Sequence, residues 1–396
     1  MAFLDFVTLI KWKKFVKRIN LPSYLYIIPI YISFLMMILY IYTNYYNLIS
    51  FPVPEHIKSL NIITSSWYLP KIGISPFIII FNTFYFIYKL LRKVFQKTKN
   101  ISNQIDLNKY RIIVGTLWLF SLIPFIITIY GLLVTVNDVK VFRENIIIPK
   151  LQNNFDKIRI IQLSDLHFGD YMPQAKLNSV LEKIENTHPD LILITGDFVN
   201  FRYQEIDYGA SFLKSLKAKY GVYACLGNHD HYMTDEDHTK LIKKIKATGV
   251  KLLINESSKI KIRNGELNLI SVDNYGARQT FGDFDKAFNS IDSKSFNILM
   301  SHDPKTWEQF VVNKLPADLT LSGHTHAGQV GVDSESFGFS PAAIAYNQYK
   351  GLYRKGSQLL YVNRGLGVSG PPIRIGFNPE VTIIDIKSPE EIAKTK

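Results

Sequence analysis

Cysteine is nearly absent from this 396-residue chain, which contains only Cys225. One cysteine excludes an intramolecular disulfide and a metal site built from several thiolates. Because Cys225 lies in the apolar run Val222–Leu226, we interpret it as a buried strand thiol and not as a reactive group. Any metal site in this chain therefore depends on nitrogen and oxygen ligands.

Acidic residues are scarce in the first 150 positions, which hold 5 Asp or Glu against 17 Lys or Arg. The remaining positions hold 28 against 29, so nearly all of the formal net charge of +13 belongs to the N-terminal part. A nearly neutral C-terminal part lacks the basic footprint that binding to a nucleic-acid backbone normally leaves. We therefore expect no nucleic-acid partner.

The N-terminal part contains three long apolar stretches without an acidic residue, at Leu21–Thr43, Ile72–Leu91 and Ile112–Val136. Each approaches or exceeds the length that crosses a bilayer, so we predict three transmembrane helices. Tyrosines crowd the ends of the first stretch, as is typical where aromatic rings meet lipid headgroups. The second stretch has Pro76 near its start and Lys89 near its end, and a re-entrant or interfacial segment is the alternative there.

The basic residues around these stretches indicate an orientation. Twelve Lys or Arg residues lie before the first stretch or between the second and the third, and the opposite side carries few. Under the positive-inside rule the N-terminus is cytoplasmic, and three spans place the C-terminal part outside. One span more or fewer reverses this orientation.

From Lys157 onward, short apolar runs alternate with helix-like segments, which predicts an α/β domain. We divide the chain into a transmembrane region at 1–136, a linker with a first strand at 137–156, a catalytic domain at 157–387 and a tail at 388–396. The strand in the linker is expected at Val141–Ile148.

Five apolar runs of the catalytic domain each end in a possible metal ligand. The runs and their endings are Ile158–Leu163 before Asp165 and His167, Leu191–Ile194 before Asp197, Val222–Leu226 before Asn228, Asn297–Met300 before His302, and Leu319–Leu321 before His324 and His326. Because sites are built at the carboxyl edge of open α/β sheets, we expect these endings to converge. For any single ending, a helix cap or a loop hydrogen bond is the alternative.

The seven side chains offer imidazole, carboxylate and amide ligands, which suit divalent Mn, Fe or Zn. Seven ligands are too many for one ion and fit two ions that share a bridging group. We therefore predict a site for two divalent metal ions.

The segments Ser164–His167, Gly196–Asp197, Gly227–Asp230 and Gly323–His326 resemble the calcineurin-like metallophosphoesterase superfamily, over about Lys157 to Ile386. Further segments look like its branch of bacterial membrane-associated or exported phosphodiesterases similar to YkuE and YaeI. These segments are Gly323–Gln329, Asn363–Gly367 and Pro372–Ile375. That branch is also similar to hydrolases of the lipid A precursor UDP-2,3-diacylglucosamine.

The resemblance implies a four-layer α/β/β/α sandwich and an assignment of the ligands. Asp165, His167, Asp197 and His326 would hold one ion, and Asp197, Asn228, His302 and His324 the other, with Asp197 as the bridge. Two ions about 3.5–4 Å apart activate a water for in-line attack on phosphorus. His229, next to a ligand but not one itself, is then the expected proton donor to the leaving group.

One position departs from the family pattern. Many members have an aspartate three residues after the bridging aspartate, where it orients the histidine, and this chain has Asn200. Asparagine accepts a hydrogen bond but supplies no charge, so we expect a less basic His229, with Asp230 as a possible compensating group. The departure concerns the rate and not the type of reaction.

Other polar residues have simpler interpretations. His231 is expected to have a solvated or supporting role and His238 to lie on the surface, and both His56 and His188 look like turn residues. Arg278, Arg364 and Arg374 suit either a phosphate clamp or structural ion pairs.

We expect a membrane-anchored phosphoester hydrolase of the bacterial cytoplasmic membrane whose substrate is a phosphoester or diphosphate linked to a lipid. About twenty residues join the third span to the first catalytic strand, so the active site must work near the bilayer. Apolar side chains between Ser336 and Tyr353 are candidates for an acyl-chain surface or for the core: Phe337, Phe339, Ile344, Tyr346, Tyr349 and Tyr353. The alternative function is a nucleotide or nucleic-acid phosphodiesterase, and the sequence leaves the oligomeric state open.

Overall fold

A computed structural model describes residues 16–17, 22, 27–49, 53–68, 123–151, 157–169, 171–263, 265–276, 279–289, 291–333 and 338–388. The chain divides between Leu132 and Leu133 into two compact units. The catalytic residues predicted from the sequence all belong to the second unit. The predicted boundaries at residues 136 and 157 stay predictions.

The first unit contains one helix long and apolar enough to cross a membrane, Ile28–Tyr46, among the residues that the structure describes. It is part of helix α1, Ile28–Ile49. The predicted start at residue 21 differs from the observed start at Ile28. Pro29 then lies in the first helical turn, where its missing N–H would have no intrahelical partner in any case.

Of the other two predicted spans, the structure describes only the second half of the third. The stretch 72–91 lies outside the described residues. Of the stretch 112–136, the described part is an apolar helix at Ile123–Thr135, which alone is shorter than a bilayer-spanning helix. The prediction of three transmembrane helices therefore stays a prediction. A second helix of the first unit, at 55–68, contains the exposed His56, which is thus not a turn residue.

Among the described residues, helices alternate with strands from Lys157 to Leu252, and strands predominate after that. The helices are α1 (Ile28–Ile49), α2 (55–68), α3 (123–130, continued by a π-helical turn at Gly131–Thr135), α4 (Gln174–Glu185), α5 (Ile206–Ser215), α6 (Asp235–Lys246), α7 (Phe284–Ala287) and α8 (Ala342–Ala345). The strands are β1 (Lys140–Ile147), β2 (Lys157–Leu163), β3 (Leu191–Thr195), β4 (Val222–Cys225), β5 (Lys251–Leu252), β6 (Glu256–Ile262), β7 (Gly265–Ser271), β8 (Tyr275–Gly276), β9 (Gln279–Thr280), β10 (Phe296–Met300), β11 (Leu319–Ser322), β12 (Val332–Asp333), β13 (Gly338–Phe339), β14 (Gly351–Lys355), β15 (Gln358–Val362) and β16 (Glu380–Lys387).

Two six-stranded sheets form the second unit. The first has the order β1-β16-β2-β3-β4-β5, in which β2 to β5 run parallel and β16 runs antiparallel to β2. The second has the order β14-β15-β11-β10-β7-β6, with β7, β10, β11 and β15 parallel. The mixed α/β fold with largely parallel sheets is confirmed.

The central strands are mostly apolar because both of their faces are covered. One hydrophobic cluster contains side chains of both sheets, such as Ile160 and Leu193 of the first and Ile298 and Leu321 of the second. A second cluster packs the other face of the first sheet against helices α4 to α6, and a third covers the outer face of the second sheet. Continuous apolar strands of this kind are typical of parallel sheets buried on both faces.

Helix α4 shows why the helices pack as they do. Its residues Leu177, Val180 and Ile184 recur every three or four positions and are buried, whereas Asn178 and Glu182 between them are exposed. Such a stripe holds one face of the helix against the sheet. The carboxyl ends of β2, β3, β4, β10 and β11 are left free to carry polar residues.

Candidate metal centre

The five strand endings that the sequence singles out come together at one place, although they belong to two different sheets. Strands β2, β3 and β4 of the first sheet deliver Asp165, His167, Asp197 and Asn228, and β10 and β11 of the second deliver His302, His324 and His326. Ligand atoms of Asp165, His167 and His326 lie within 4.8 Å of one another, as do those of Asp197, His302 and His324, and a third such group joins His167 and Asp197 to His229. The convergence expected from the sequence is therefore present.

Five of these seven residues have a left-handed backbone. The φ angles are 51° at Asp165, 43° at His167, 56° at Asp197, 71° at His324 and 49° at His326. A non-glycine residue in this region costs on the order of 1–3 kcal/mol, and such residues cluster at functional sites. At these residues the backbone leaves the strand conformation and turns, and the side chains converge on one place.

Two glycines permit the close approach of these loops. A Cβ atom on Gly323 would lie 1.9 Å from Oγ of Ser164 and 2.3 Å from Oδ2 of Asp165. A Cβ atom on Gly227 would lie 2.2 Å from Oδ1 of Asp197. Because carbon and oxygen cannot approach so closely, only glycine fits at either position.

The first group of ligand atoms is buried and tightly spaced. Nε2 of His167 and Nε2 of His326 are 3.1 Å apart, and Nε2 of His326 is 3.3 Å from Oδ1 of Asp165. Nε2 of His167 is also 3.6 Å from Oδ2 of Asp197. These four side chains are at most 5% exposed as residues.

The second group shares one atom with the first. Oδ2 of Asp197 lies 3.2 Å from Nε2 of His302, which is itself 3.2 Å from Oδ1 of Asn228. Oδ1 of Asn228 lies 2.7 Å from Nδ1 of His324. The Asn228 amide is held in this orientation because its Nδ2 donates to the hydroxyl of Tyr232 at 2.8 Å.

The arrangement fits two divalent ions. Metal–ligand bonds of about 2.0–2.2 Å separate adjacent ligand atoms by roughly 3 to 3.5 Å, which is the spacing found within each group. Imidazole nitrogen atoms and the oxygen atoms of carboxylates and amides suit Zn, Fe or Mn. Oδ2 of Asp197 lies near ligand atoms of both groups, 3.6 Å from Nε2 of His167 and 3.2 Å from Nε2 of His302.

Three of the four histidines among the seven residues have lowered pKa values, whereas the effect of burial on His302 is outweighed by the adjacent Asp197, which raises the pKa of His302 to about 10. Burial lowers the pKa of His167 to about 3 and that of His324 to about 4, and burial also lowers the pKa of His326. These rings are therefore neutral at physiological pH, as a metal ligand must be. Burial raises the pKa of Asp197, but the neighbouring His302 and His229 outweigh it and hold that pKa well below its usual range.

His229 lies beside this cluster and is oriented differently from the expectation. Its Nδ1 lies 2.8 Å from the main-chain carbonyl oxygen of Asn200, so Nδ1 donates and Nε2 is free to exchange a proton. The expectation that the Asn200 side chain would hold the ring is thus corrected, since the main chain does so. Oγ of Ser369 is 3.4 Å from Nε2 of His229.

Asp230 does not compensate for Asn200 as expected. Its carboxylate accepts main-chain N–H groups of Asp197 at 3.0 Å, Phe198 at 2.9 Å and Gly227 at 2.9 Å. Those contacts brace the backbone of the bridging aspartate, and they occupy the carboxylate that would otherwise face His229.

The remaining histidines have structural contacts. Nε2 of His231 lies 2.8 Å from Oδ1 of Asp273, which agrees with a supporting role. His238 is half-buried and lies with its ring centroid 4.5 Å from that of His231, so the expected surface position is wrong. His188 is exposed and has a left-handed backbone before Pro189, as a turn residue would.

The arginines are engaged in the fold. Nη1 of Arg364 donates to Oε2 of Glu380 at 2.7 Å, and Nη2 of Arg374 donates to the carbonyl oxygens of Gly365 at 3.1 Å and Gly367 at 2.6 Å. These contacts favour structural pairing over a phosphate clamp for both. Arg278 lies outside the described residues.

The sequence pattern gives no role to Glu205 or Lys176, and it indicates Tyr346 only as a candidate for an acyl-chain surface or for the core. The hydroxyl of Tyr346 is 2.7 Å from Nε2 of His324, and the carboxyl of Glu205 accepts the main-chain N–H groups of Asn200 and Phe201. Lys176, only 4% exposed, donates to the carbonyl oxygens of Val136 and Leu366. The contacts of Tyr346 and Lys176 join distant parts of the chain, whereas Glu205 lies only five and four positions from Asn200 and Phe201.

The family model for calcineurin-like phosphoesterases matches residues 158–328. The chain is 30% identical over 243 residues to the uncharacterized metallophosphoesterase YkuE of Bacillus subtilis, and the match covers 60% of this chain and 82% of that protein. It is 28% identical over 305 residues to the UDP-2,3-diacylglucosamine pyrophosphatase LpxG of Chlamydia trachomatis, with 63% of this chain and 89% of that one covered.

A vertebrate protein is also similar. The chain is 29% identical over 276 residues to a transmembrane protein with a metallophosphoesterase domain from Danio rerio. The match covers 67% of this chain and spans 61% of the length of the zebrafish protein.

Proposed function

Because the chain belongs to the calcineurin-like phosphoesterase family, we propose that it is a membrane-anchored, two-metal hydrolase of a phosphoester or diphosphate bond in a lipid-linked substrate. Proteins of this family are metal-dependent phosphoester hydrolases, and the chain shares this general activity. The proposal adds the ligands, the proton donor, the membrane anchor and the class of substrate.

The observation that carries the catalytic part of the proposal is the shared carboxylate. Oδ2 of Asp197 faces Nε2 of His167 on one side and Nε2 of His302 on the other, at 3.6 and 3.2 Å. We assign Asp165, His167, Asp197 and His326 to one ion and Asp197, Asn228, His302 and His324 to the other. Bound ions of this kind supply Lewis acidity toward phosphoryl oxygens and lower the pKa of water.

His229 is assigned the proton transfer to the leaving group. Its Nδ1–H is fixed by the carbonyl oxygen of Asn200, so Nε2 is the atom that exchanges a proton. The ring lies 4.7 Å, centroid to centroid, from that of His167, which places it next to the metal ligands. A positioned histidine typically contributes about 10²- to 10⁴-fold to such a step.

A buried lysine supports an active site close to the membrane. Val136 is the last residue of the third predicted span, and its carbonyl oxygen accepts from Nζ of Lys176 at 2.7 Å. The same Nζ donates at 2.6 Å to the carbonyl oxygen of Leu366, which precedes Gly367. The N–H of Gly367 donates at 2.7 Å to the carbonyl oxygen of Asp165. Few contacts therefore separate the end of the predicted span from a proposed ligand.

Exposed apolar side chains near the site support a lipid-linked substrate. Phe201 and Tyr232 are 49% and 46% exposed, and their rings stack beside His229. Phe339 is 54% and Ile344 83% exposed, although Tyr346, Tyr349 and Tyr353 are half-buried. LpxG, a relative, is named for hydrolysis of a diphosphate joined to a diacyl lipid.

For the location, we propose three spans, a cytoplasmic N-terminus and a catalytic domain outside the cytoplasmic membrane. The candidate span Ile28–Tyr46 and the positive residues that flank the predicted spans support this arrangement. Protease added to intact cells, with any outer membrane opened, should digest the C-terminal part. Protection of that part until lysis would require a different number of spans.

The substrate class is tested with full-length protein in membranes supplied with Mn²⁺. Hydrolysis of UDP-2,3-diacylglucosamine and of phospholipids is compared with that of their deacylated head groups and of nucleotides, and His229→Ala in the same membranes gives the background. We expect faster hydrolysis of a diacyl substrate than of its head group, because the anchor and the apolar surface raise its local concentration. Equal rates, or a preference for nucleotides, would favour the nucleotide phosphodiesterase alternative.

A further inference from the structure

Glu205 is a buried carboxyl directly behind the loop that holds His229. It ends the helical turn Tyr203–Glu205 and is 7% exposed. Its Oε2 accepts the main-chain N–H of Asn200 and, at 3.1 Å, that of Phe201. One side-chain oxygen therefore fixes two successive peptide groups.

Both of those residues contact His229 directly. The carbonyl oxygen of Asn200 receives the Nδ1 proton at 2.8 Å. The ring of Phe201 lies 5.7 Å from the imidazole, centroid to centroid. The hydrogen bond that selects the tautomer and an aromatic ring beside the imidazole thus come from one dipeptide, and Glu205 holds that dipeptide.

We propose that Glu205 is a positioning residue for proton transfer by His229, acting through the main chain of Asn200 and Phe201. The proposal rests on the proposed function, in which His229 exchanges the proton through Nε2. Because a carbonyl oxygen on a loop is less firmly placed than a side chain on a strand, a third group must hold it. Glu205 supplies the acceptor for the loop.

The acceptor atom, and not the negative charge, is what this role requires. Oε2 alone receives both N–H groups, and the amide oxygen of glutamine offers the same acceptor at the same length. Leucine or alanine at this position leaves two N–H groups without a side-chain partner. The three substitutions therefore separate acceptor from charge.

The test measures kcat, KM and bound metal in full-length Glu205→Leu, Glu205→Ala and Glu205→Gln. We expect kcat to fall about 10- to 100-fold in the leucine and alanine variants, since small displacements of a catalytic group have effects of this size. KM and metal content should stay unchanged, and Glu205→Gln should keep kcat within about threefold. The alanine variant gives the answer if the leucine variant does not fold, and the exposed Glu185→Leu is the matched control.

A double variant distinguishes a positioning role from a general loss of structure. In the His229→Ala background, Glu205→Ala should lower kcat very little further, because the two residues act on the same step. A further tenfold loss in the double variant, lost metal, or wild-type kcat in both Glu205→Ala and Glu205→Leu would overturn the inference. If His229→Ala itself keeps full kcat, the proposed role of His229 has failed instead.

Discussion

The hydroxyl oxygen of Tyr346 lies 2.7 Å from Nε2 of His324. On the opposite side of the ring, Nδ1 lies 2.7 Å from Oδ1 of Asn228. When Nε2 donates its proton to the tyrosine, Nδ1 presents a lone pair beside the amide oxygen. In that tautomer the Tyr346 hydroxyl orients the ring of His324, and Nδ1 and the Asn228 amide oxygen would both be available to the proposed second ion.

Replacement of Tyr346 by phenylalanine should weaken the second ion. Loss of a partner that orients a ligand typically costs 10- to 100-fold in metal affinity. We expect Tyr346→Phe to bind one ion normally and the other about 10- to 100-fold more weakly in a metal titration. Tyr208→Phe, at an exposed position on helix α5, is the control. If Tyr346→Phe binds both ions with unchanged affinity, Tyr346 does not orient His324 for metal binding.

A methyl group at Gly323 should disrupt the centre. The Cβ atom of Gly323→Ala would overlap Ser164 and Asp165, so one of the loops must move. We expect loss of bound metal and at least a tenfold lower rate, since misplaced catalytic groups lose about this much or more. Gly338→Ala is the matched control because its nearest neighbour would be 3.8 Å away, and it should keep both metal and rate. Normal metal content in Gly323→Ala would contradict the described packing.

Asn228 and His229 should respond differently although they are adjacent. Asn228→Ala removes an oxygen that faces two histidines and should lower metal content. His229→Ala should lose about 10²- to 10⁴-fold in turnover and keep both ions, because it moves only a proton. Metal analysis of the two purified variants decides the matter. Loss of metal in the histidine variant alone would reverse the assigned roles.

Burial of Glu205 should make stability depend on pH. Burial raises its pKa to about 7 from an ordinary value of 4.5. Between these two pH values the folded protein holds a proton that the unfolded chain has released, so stability is highest below pH 4.5 and falls as the pH rises to 7. For this residue the loss is on the order of 3 kcal/mol.

Glu205→Gln cannot ionise and should therefore show a flatter pH dependence of the thermal midpoint over this range. Intrinsic fluorescence of the protein in detergent gives the thermal midpoint at each pH, and Glu185→Gln is the control. Parallel curves for wild type and Glu205→Gln would show that the carboxyl keeps its ordinary pKa.

The sequence predicts which of the proposed ligands come together better than it predicts the groups that orient them. Asp165, His302 and the other ligands follow apolar runs, and the carboxyl ends of parallel strands meet at one edge, so local patterns suffice. The partner of His229 is a main-chain carbonyl, which every residue type possesses. Glu205 accepts from main-chain N–H groups, which every residue type except proline possesses, and Tyr346 contacts a histidine that lies in a different part of the chain.

The N-terminal region shows a second limit. Hydropathy indicates an apolar stretch at Leu21–Thr43, but the helix begins at Ile28 because Pro29 suits a first turn. Helix α2 at 55–68 lies in a segment that the sequence presents as a loop between spans. Apolar length alone therefore does not predict where a helix starts.

Metal dependence tests the central claim most directly. Full-length protein is stripped of metal with a chelator and titrated with Mn²⁺, and phosphodiester hydrolysis is followed together with bound metal. We predict negligible hydrolysis without metal and full recovery as two ions bind per chain, since the two groups of ligands share Asp197. Undiminished hydrolysis in chelator, with no metal bound, would contradict the account.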